Sequence, residues 1–490
     1  MPYADIFNIK KLVSFVMPAE CDRLIYPTVD RFIYDLADGL GQSDEKVDRN
    51  RENFLKKIVK EIDKDNFHRS IQKVKTAEEQ DKNYIELLGF IDFPSAFDGY
   101  YYPVKIGDTY ALQMDCSGKN STKDEKSKPQ SILGAIVKIK SIIDEQLHHT
   151  EASIGESWTI YGQLAAEDQD VLKTAQNCYH ALGLFDTPNW ENHLDNEGEF
   201  EGIHFYELSH FGGDRGNLKQ NRHLLIYLFP YNGGKFILDD PQAKKIPRTL
   251  HVQFLRLFQY RNKSIWAYHQ SRSLKADMKE AAQTIQILVK ALPAKVKSKR
   301  VNLKELQNNL ADLLTILSIY GNYLSRLEEQ KQTIATNLEN YKKRLKQIPT
   351  AIDREASDRA FDFLETFADY GSEKYLPQIE SDLASLSANF RLLENAIKTV
   401  EGIVQLEQTK SDRALTGTIA IASSALALSA VTATVVSVKQ PKNYRDVAFL
   451  KSPEFGFSLA IGSLPIFIAF LCWLFVYIKA VLKNNGQSRP

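Results

Sequence analysis

Cysteine is scarce in this chain. There are four in 490 residues, Cys21, Cys116, Cys178 and Cys472, and no two form a Cys-x-x-Cys pair. That spacing excludes a zinc ribbon and gives no disulfide framework. An excess of either charge is also missing. Lys and Arg number 62, Asp and Glu number 62, and the formal charge is zero, so composition points to no nucleic-acid partner. The usual catalytic signatures are absent too. Cys116-Ser-Gly-Lys119 lacks the Gly-x-x-x-x-Gly-Lys spacing of a phosphate loop, and there is no Gly-x-Ser-x-Gly elbow or His-Glu-x-x-His pair. The expectation is a protein that is not an enzyme and binds no cofactor. The first residues, Met1-Pro-Tyr-Ala-Asp-Ile-Phe7, lack the basic region and long apolar run of a secretory signal. The part of the chain that follows is therefore expected in the cytoplasm.

The most informative absence is at the other end. No charged residue occurs in residues 414–438, and none in residues 455–478. Each run is about 24 residues long, and a helix rising about 1.5 Å per residue crosses a roughly 30 Å hydrocarbon core in about 20. Both runs are predicted to be transmembrane helices, because a backbone in lipid must satisfy its own amides. Well over half of the first run is Gly, Ala, Ser or Thr, which lets helices approach closely in a bilayer. The second carries Phe455, Phe457, Phe467, Phe470, Trp473, Phe475 and Tyr477, which suit acyl chains and the interface, and Pro465, a candidate kink. The composition fits two arrangements. In one the first span is ringed by the second inside an oligomer; in the other two helices form a plain anchor. Two spans return the chain to its starting side, so both termini are expected in the cytoplasm of a plasma or inner membrane protein. Lys410, Arg413, Lys479 and Lys483 flank the spans on that side, although the connecting loop is basic as well.

Residues 1–270 read as a mixed cytoplasmic domain, α+β or α/β. Amphipathic helical patterns fall at residues 22–40, 51–64 and 168–184. Strand patterns fall at residues 84–93, 100–113, 202–210 and 223–229, with a hairpin turning at Gly107-Asp108. His223-Leu-Leu-Ile-Tyr-Leu-Phe229 is almost wholly apolar and suits a buried central strand. Residues 117–131 and 41–51 are polar, without period, and are predicted to be loops.

Residues 271–410 read as an all-α coiled-coil stalk. Leu303, Leu306, Leu310, Leu313, Leu317, Tyr320, Leu324, Leu327, Ile334, Leu338, Tyr341, Leu345 and Ile348 recur in steps of three and four, broken only by Lys331. This is a heptad seam of about six repeats, expected to end at Pro349. A middle helix is expected to stop at Gly371. A second seam runs Ile379, Leu383, Leu386, Phe390, Leu393, Ile397, Val400, Val404. Its register continues through Ala414, Thr418, Ile421, Ala425, Leu428, Thr432 and Val435. The spacing predicts one helix from stalk to membrane. Residues 411–490 then form the two-helix transmembrane region.

Candidate chemistry is thin. His204 and His210 would share one face of a strand, with His223 nearby, and neutral imidazoles bind transition metals. No carboxylate or thiol completes a motif, so they are expected to be ordinary sheet residues and no metal site is assigned. Phe211-Gly-Gly-Asp-Arg-Gly-Asn217 lies between two strand patterns and reads as a hairpin loop rather than a phosphate cradle. Asp115 and Cys116 are adjacent polar groups without an identified partner.

The order of parts, an α/β domain, antiparallel helices, a stalk helix feeding a first span, a second span and a short tail, resembles the CorA family of divalent-cation channels. The likeness covers residues 271–490 in layout and the N-terminal domain by class. It implies a homo-oligomer whose first span lines a pore, with Thr418, Ala425 and Thr432 as pore-lining candidates. The family's Gly-Met-Asn signature is missing, since the four methionines are Met1, Met17, Met114 and Met278. No selectivity residue is therefore carried over. The expected partners are the lipid bilayer and further copies of the chain, through the coiled coil and the first span. The alternative is a non-conducting, membrane-anchored coiled-coil scaffold or sensor.

Overall fold

The computed structural model describes residues 22–410, apart from residues 40, 59–63, 81, 96, 120–127, 149–150, 213–219, 234–238, 240–244, 297–302, 354–356 and 358. Both apolar runs, the pore-lining candidates Thr418, Ala425 and Thr432, and the join between stalk and membrane lie outside the described residues. Among the described residues no helix is long and apolar enough to cross a membrane. What is described is an N-terminal α/β sheet domain followed by long helices.

Within these residues the chain divides into two compact units. The first runs to Arg272 and adds Lys331–Pro377; the second holds Ser273–Gln330 and the residues from Gln378 on. Three long helices, α6 (Lys245–Val296), α7 (Leu303–Ile352) and α9 (Leu376–Lys410), carry the chain from one unit to the other.

The first unit is built on one ten-stranded sheet, in the order β2-β4-β5-β1-β7-β10-β9-β8, with β3 beside β4 and β6 beside β1. The strands are β1 (Arg23–Leu36), β2 (Tyr84–Glu86), β3 (Ile91–Asp92), β4 (Phe97–Ile106), β5 (Thr109–Lys119), β6 (Pro129–Ser131), β7 (Gly155–Leu164), β8 (Leu194–Phe200), β9 (Ile203–His210) and β10 (Arg222–Phe229). β7 and β10 run parallel, and β10 pairs antiparallel with β9, as expected for the hairpin around the glycine-rich segment. The β4–β5 hairpin turns at Gly107, whose φ of +57° suits a tight two-residue turn.

Helices cover both faces of the sheet centre. α1 (Asp44–Leu55), α2 (Lys64–Glu78), α3 (Ile132–Gln146) and α4 (Val171–Leu182) enclose a core with Val29, Ile33, Leu112, Met114, Ile160, Leu224 and Ile226. A single-turn helix, α5 (Trp190–His193), adds Trp190 to that core. Ser131 caps α3 and Asp170 caps α4 through their side-chain oxygens, supplying partners for first-turn amides. The opposite face meets α6. Phe32 packs edge-on to Phe258 at 5.4 Å, and the Tyr34 hydroxyl donates to the Leu255 carbonyl at 2.9 Å.

Several expectations are corrected. Residues 22–40 form strand β1 rather than a helix. β1 lies between β5 and β7 and is buried on both faces, so the period of two that marks a half-exposed strand is erased. Residues 41–51 are not all loop. α1 begins at Asp44, where Asp44 and Glu45 complement the helix N-terminus. The helical region starts at Lys245, not near Ser271, because Leu250, Phe254, Leu255, Leu257 and Phe258 are all buried and leave no clean stripe to read. Ser117 and Lys119 belong to β5, so only part of the predicted 117–131 loop remains, and residues 120–127 lie outside the described residues. α7 passes Pro349 and ends at Ile352. A proline removes one ladder bond, but the Asp353 amide still closes onto the Pro349 carbonyl at 2.8 Å.

Gly371 does not stop a helix. α8 (Thr366–Tyr370) leads through a π turn, Gly371–Tyr375, directly into α9. Gly371 is itself helical, and a Cβ there would lie 2.7 Å from Leu338 Cδ2. The glycine permits close approach of α7.

In the second unit the predicted seams find partners inside the chain. Leu306, Leu310, Leu313, Leu317 and Leu327 are buried on α7, as are Leu386, Leu393, Ile397 and Val400 on α9. The Tyr320 hydroxyl donates to the Leu386 carbonyl at 3.0 Å, and Lys275 of α6 meets the buried Asp382 of α9 at 2.7 Å. Burial of each such leucine contributes about 1.5–3 kcal/mol.

Gly371→Ala is expected to destabilise the protein by about 1–3 kcal/mol, the usual cost of overpacking a close contact. Adding Leu338→Ala should recover part of that loss. Thermal melts of the single and double variants check this; an unchanged melt for Gly371→Ala would remove the close-approach explanation.

Candidate functional site

Strand register sets the site. β1 pairs β5 with Asp30 opposite Asp115, β4 pairs β5 with Tyr100 opposite Asp115, and β1 pairs β7 with Asp30 opposite Thr159. The four residues form one row across the middle of the sheet. Alternation places them on the α6 face, one residue out of step with the apolar core residues Val29, Met114, Cys116 and Ile160. Gln113 and Tyr161 belong to neighbouring rows of the same face. Two irregularities lie at this end of the row, a register shift in β1 between Ile25 and Thr28 and another in β4 between Phe97 and Gly99. Bulges of this kind often re-aim side chains beside functional sites. At Gly99 a Cβ would fall 2.8 Å from the Asp115 carbonyl oxygen, so glycine is required for β4 to lie so near.

α6 brings His251 onto the row. One ligand atom each from Asp30, Asp115 and His251 lie within 4.8 Å of one another. His251 Nδ1 is 3.8 Å from Asp30 Oδ1 and 4.0 Å from Asp115 Oδ2. The Thr159 hydroxyl donates to Asp30 Oδ2 at 2.8 Å, and Gln113 Nε2 donates to Asp30 Oδ1 at 3.1 Å. Gln113 Nε2 is also 2.7 Å from His251 Nδ1, and His251 Nε2 is 3.2 Å from the Tyr161 hydroxyl. With the amide donating, Nδ1 accepts and the ring proton sits on Nε2, facing Tyr161.

The electrostatics are unbalanced. Asp30 is 1 % exposed and Asp115 is 7 %, yet among the described residues neither meets a Lys or Arg within ion-pair range. Two unit charges about 4 Å apart repel by roughly 4 kcal/mol at an effective dielectric near 20. Burial raises the Asp115 carboxyl well above the ordinary carboxylate range, and the charges of Asp30 and Asp98 raise it further. The Tyr161 and Tyr227 hydroxyls are likewise pushed far up by burial and by these acids. Tyr227 stacks on Tyr161 at 4.9 Å, and its hydroxyl is fully buried without a hydrogen-bond partner among the described residues.

A second polar group lies farther along the same face. His223 Nε2 is 3.1 Å from Glu207 Oε1, its Nδ1 is 2.9 Å from Ser157 Oγ, and Asn262 of α6 donates to that oxygen at 2.8 Å. Burial, with the nearby Arg261, lowers the His223 imidazole to about 4 against the pull of Glu207. Burial would raise Glu207, but the His223 hydrogen bond, Arg261 and Asn196 hold its carboxyl below the usual range. The order Ser, His, carboxylate is that of a nucleophilic triad, but all three side chains are sealed from solvent and Asn262 occupies the serine oxygen. The network fixes α6 to the sheet.

The histidines noted in the sequence do not converge. His223 is the register partner of Ser209, so it lies on the α6 face, while His204 and His210 lie on the other. His210 packs its ring 5.5 Å from that of His193, and His204 lies 3.8 Å from Glu199. Of the adjacent pair Asp115 and Cys116, the aspartate enters the site, and the cysteine points into the core, its thiol pushed up to about 12 by burial. Asp30 and His251 were not legible. Asp30 is hidden by the helical reading of residues 22–40. An acid inside the apolar stretch Leu24–Leu36 was the available signal. No family model matches this chain, and no curated protein does.

The raised Asp115 makes a signed prediction. A carboxyl raised on folding lowers stability as pH climbs above the unfolded value of about 4 toward the folded one. Asp115→Asn removes that loss. In EDTA the variant should melt several degrees above wild type at pH 7, and the gap should close near pH 3–4. A gap independent of pH, or a variant less stable at pH 7, would contradict the buried-acid account.

Proposed function

We propose that this chain is a homo-oligomeric membrane protein, a pore or ion channel in which the α/β domain controls the first apolar segment through α9, with both termini cytoplasmic. The observation that supports it best is the seam of α9. The buried positions Ile379, Leu386, Leu393, Ile397, Val400 and Val404 recur in steps that continue, in sequence, through Thr418, Ala425 and Thr432. In sequence register, the small residues of the uncharged run thus continue the positions that pack the stalk. Small residues at such positions suit close packing about an axis. The resemblance of the layout to CorA channels agrees with this reading.

One observation favours the second reading, a non-conducting membrane-anchored scaffold or sensor. The seam of α7 is covered by partners within its own chain, so it needs no second copy to bury it.

Subunit number separates the two. Mass photometry in detergent should give a ring of four or more for a pore, and a monomer or dimer for an anchor. In liposomes, Ala425→Trp should block assembly or ion flux, whereas Leu471→Trp, on the aromatic span, should leave both near wild type. Equal tolerance at the two positions would overturn the inner-ring arrangement.

A further inference from the structure

We infer that Asp30, Asp115 and His251 bind a single divalent transition-metal ion of the Mn²⁺ or Zn²⁺ class, held between β1, β5 and α6. The inference does not depend on whether the C-terminal segments conduct.

The charge balance is the first argument. Two carboxylates and a neutral imidazole around a divalent ion sum to zero, the only inexpensive total for a site this buried. A monovalent ion would leave a buried negative charge, and no Lys or Arg among the described residues supplies the balance. The donor set is the second. Carboxylates suit Mg²⁺, Ca²⁺ and Mn²⁺, while imidazole suits Zn²⁺ and the later metals, so the mixture selects the overlap. The geometry is the third. Separations of 3.8 and 4.0 Å between His251 Nδ1 and the two carboxylate oxygens are spanned by two bonds of about 2.1 Å to one ion with little movement.

The surroundings are arranged as they are around metal ligands, whose outer atoms are held by a second set of bonds. The Tyr161 hydroxyl holds His251 Nε2 and leaves Nδ1 facing the acids. The Thr159 hydroxyl holds Asp30 Oδ2 and leaves Oδ1 facing His251. The Gln113 amide bridges Asp30 Oδ1 and His251 Nδ1 with its NH₂, the place a cation would take. Turning that amide over would present its oxygen to the ion as a further ligand. An independent sign of a missing ligand is Tyr227. Its hydroxyl is fully buried, lies in the field of Asp30 and Asp115, and has no partner among the described residues. A water on the ion would supply one. The way in is past His251, the most exposed of the three at 12 % of its side chain.

The test uses the full chain in detergent, stripped with EDTA and dialysed against Mn²⁺ alone. Wild type is expected to retain one ion per chain, to melt at a higher temperature than the stripped protein, and to show imidazole-nitrogen coupling in pulsed EPR. His251→Gln should lose the nitrogen coupling, and Asp115→Asn should lose the ion. Asp115→Asn serves as the check on folding, since its stripped form is expected to melt at or above wild type at neutral pH. No retained ion in wild type, an ion without nitrogen coupling, or equal retention in wild type and Asp115→Asn would each overturn the proposal.

Discussion

Two carboxylates side by side on the central strands of a buried sheet set the terms for everything around them. Asp30 and Asp115 are register partners, so neither can move away from the other without breaking the β1–β5 ladder. Like charges directly opposed across strands oppose pairing, and the cost grows where water is excluded. Among the described residues the answer is donors rather than cations, from Thr159 and Gln113, while His251 turns its Nδ1 toward both acids and burial holds the Asp115 carboxyl well above the ordinary range. These groups come from β7, β5 and α6, so the acids dictate which elements must meet at this point.

The same face of the sheet repeats the device with the charges matched. At Glu207 the carboxylate has His223, Asn196 and Arg261 around it, and its proton is gone. That network has no orphaned donor on His223, and it ties β7, β9 and β10 to Asn262 of α6. The contrast between the two groups is informative. Both are buried beneath one helix, yet in one the carboxylate has matched partners, while in the other the Asp115 carboxyl is raised and, among the described residues, the Tyr227 hydroxyl has no hydrogen-bond partner. α6 is fixed at the first group and carries a ligand residue at the second, so an ion there would act on a helix that leads out of the sheet unit.

The helical part follows simpler rules. Seam positions of α7 and α9 are buried by partners of the same chain, with Tyr320 and Lys275 adding directional bonds. Gly371 shows how one residue type serves opposite ends. Its conformational freedom suggests a stop, but here its missing side chain is what lets Leu338 of α7 approach a continuous helical turn.

The sequence by itself determined the class of the domain, the hairpin at Gly107-Asp108, the buried strand at His223–Phe229 and both heptad seams. Each is a local repeat, written in neighbouring residues and legible without knowing what packs against it. It also carries the two uncharged runs that motivate the membrane reading. Only the tertiary structure decided that residues 22–40 are a strand, because burial on both faces removes the alternation that would mark one. Only it decided that Asp30, Asp115 and His251 meet. They are far apart in the chain, and what joins them is strand order, register and the placement of α6, none of which any short stretch of sequence specifies.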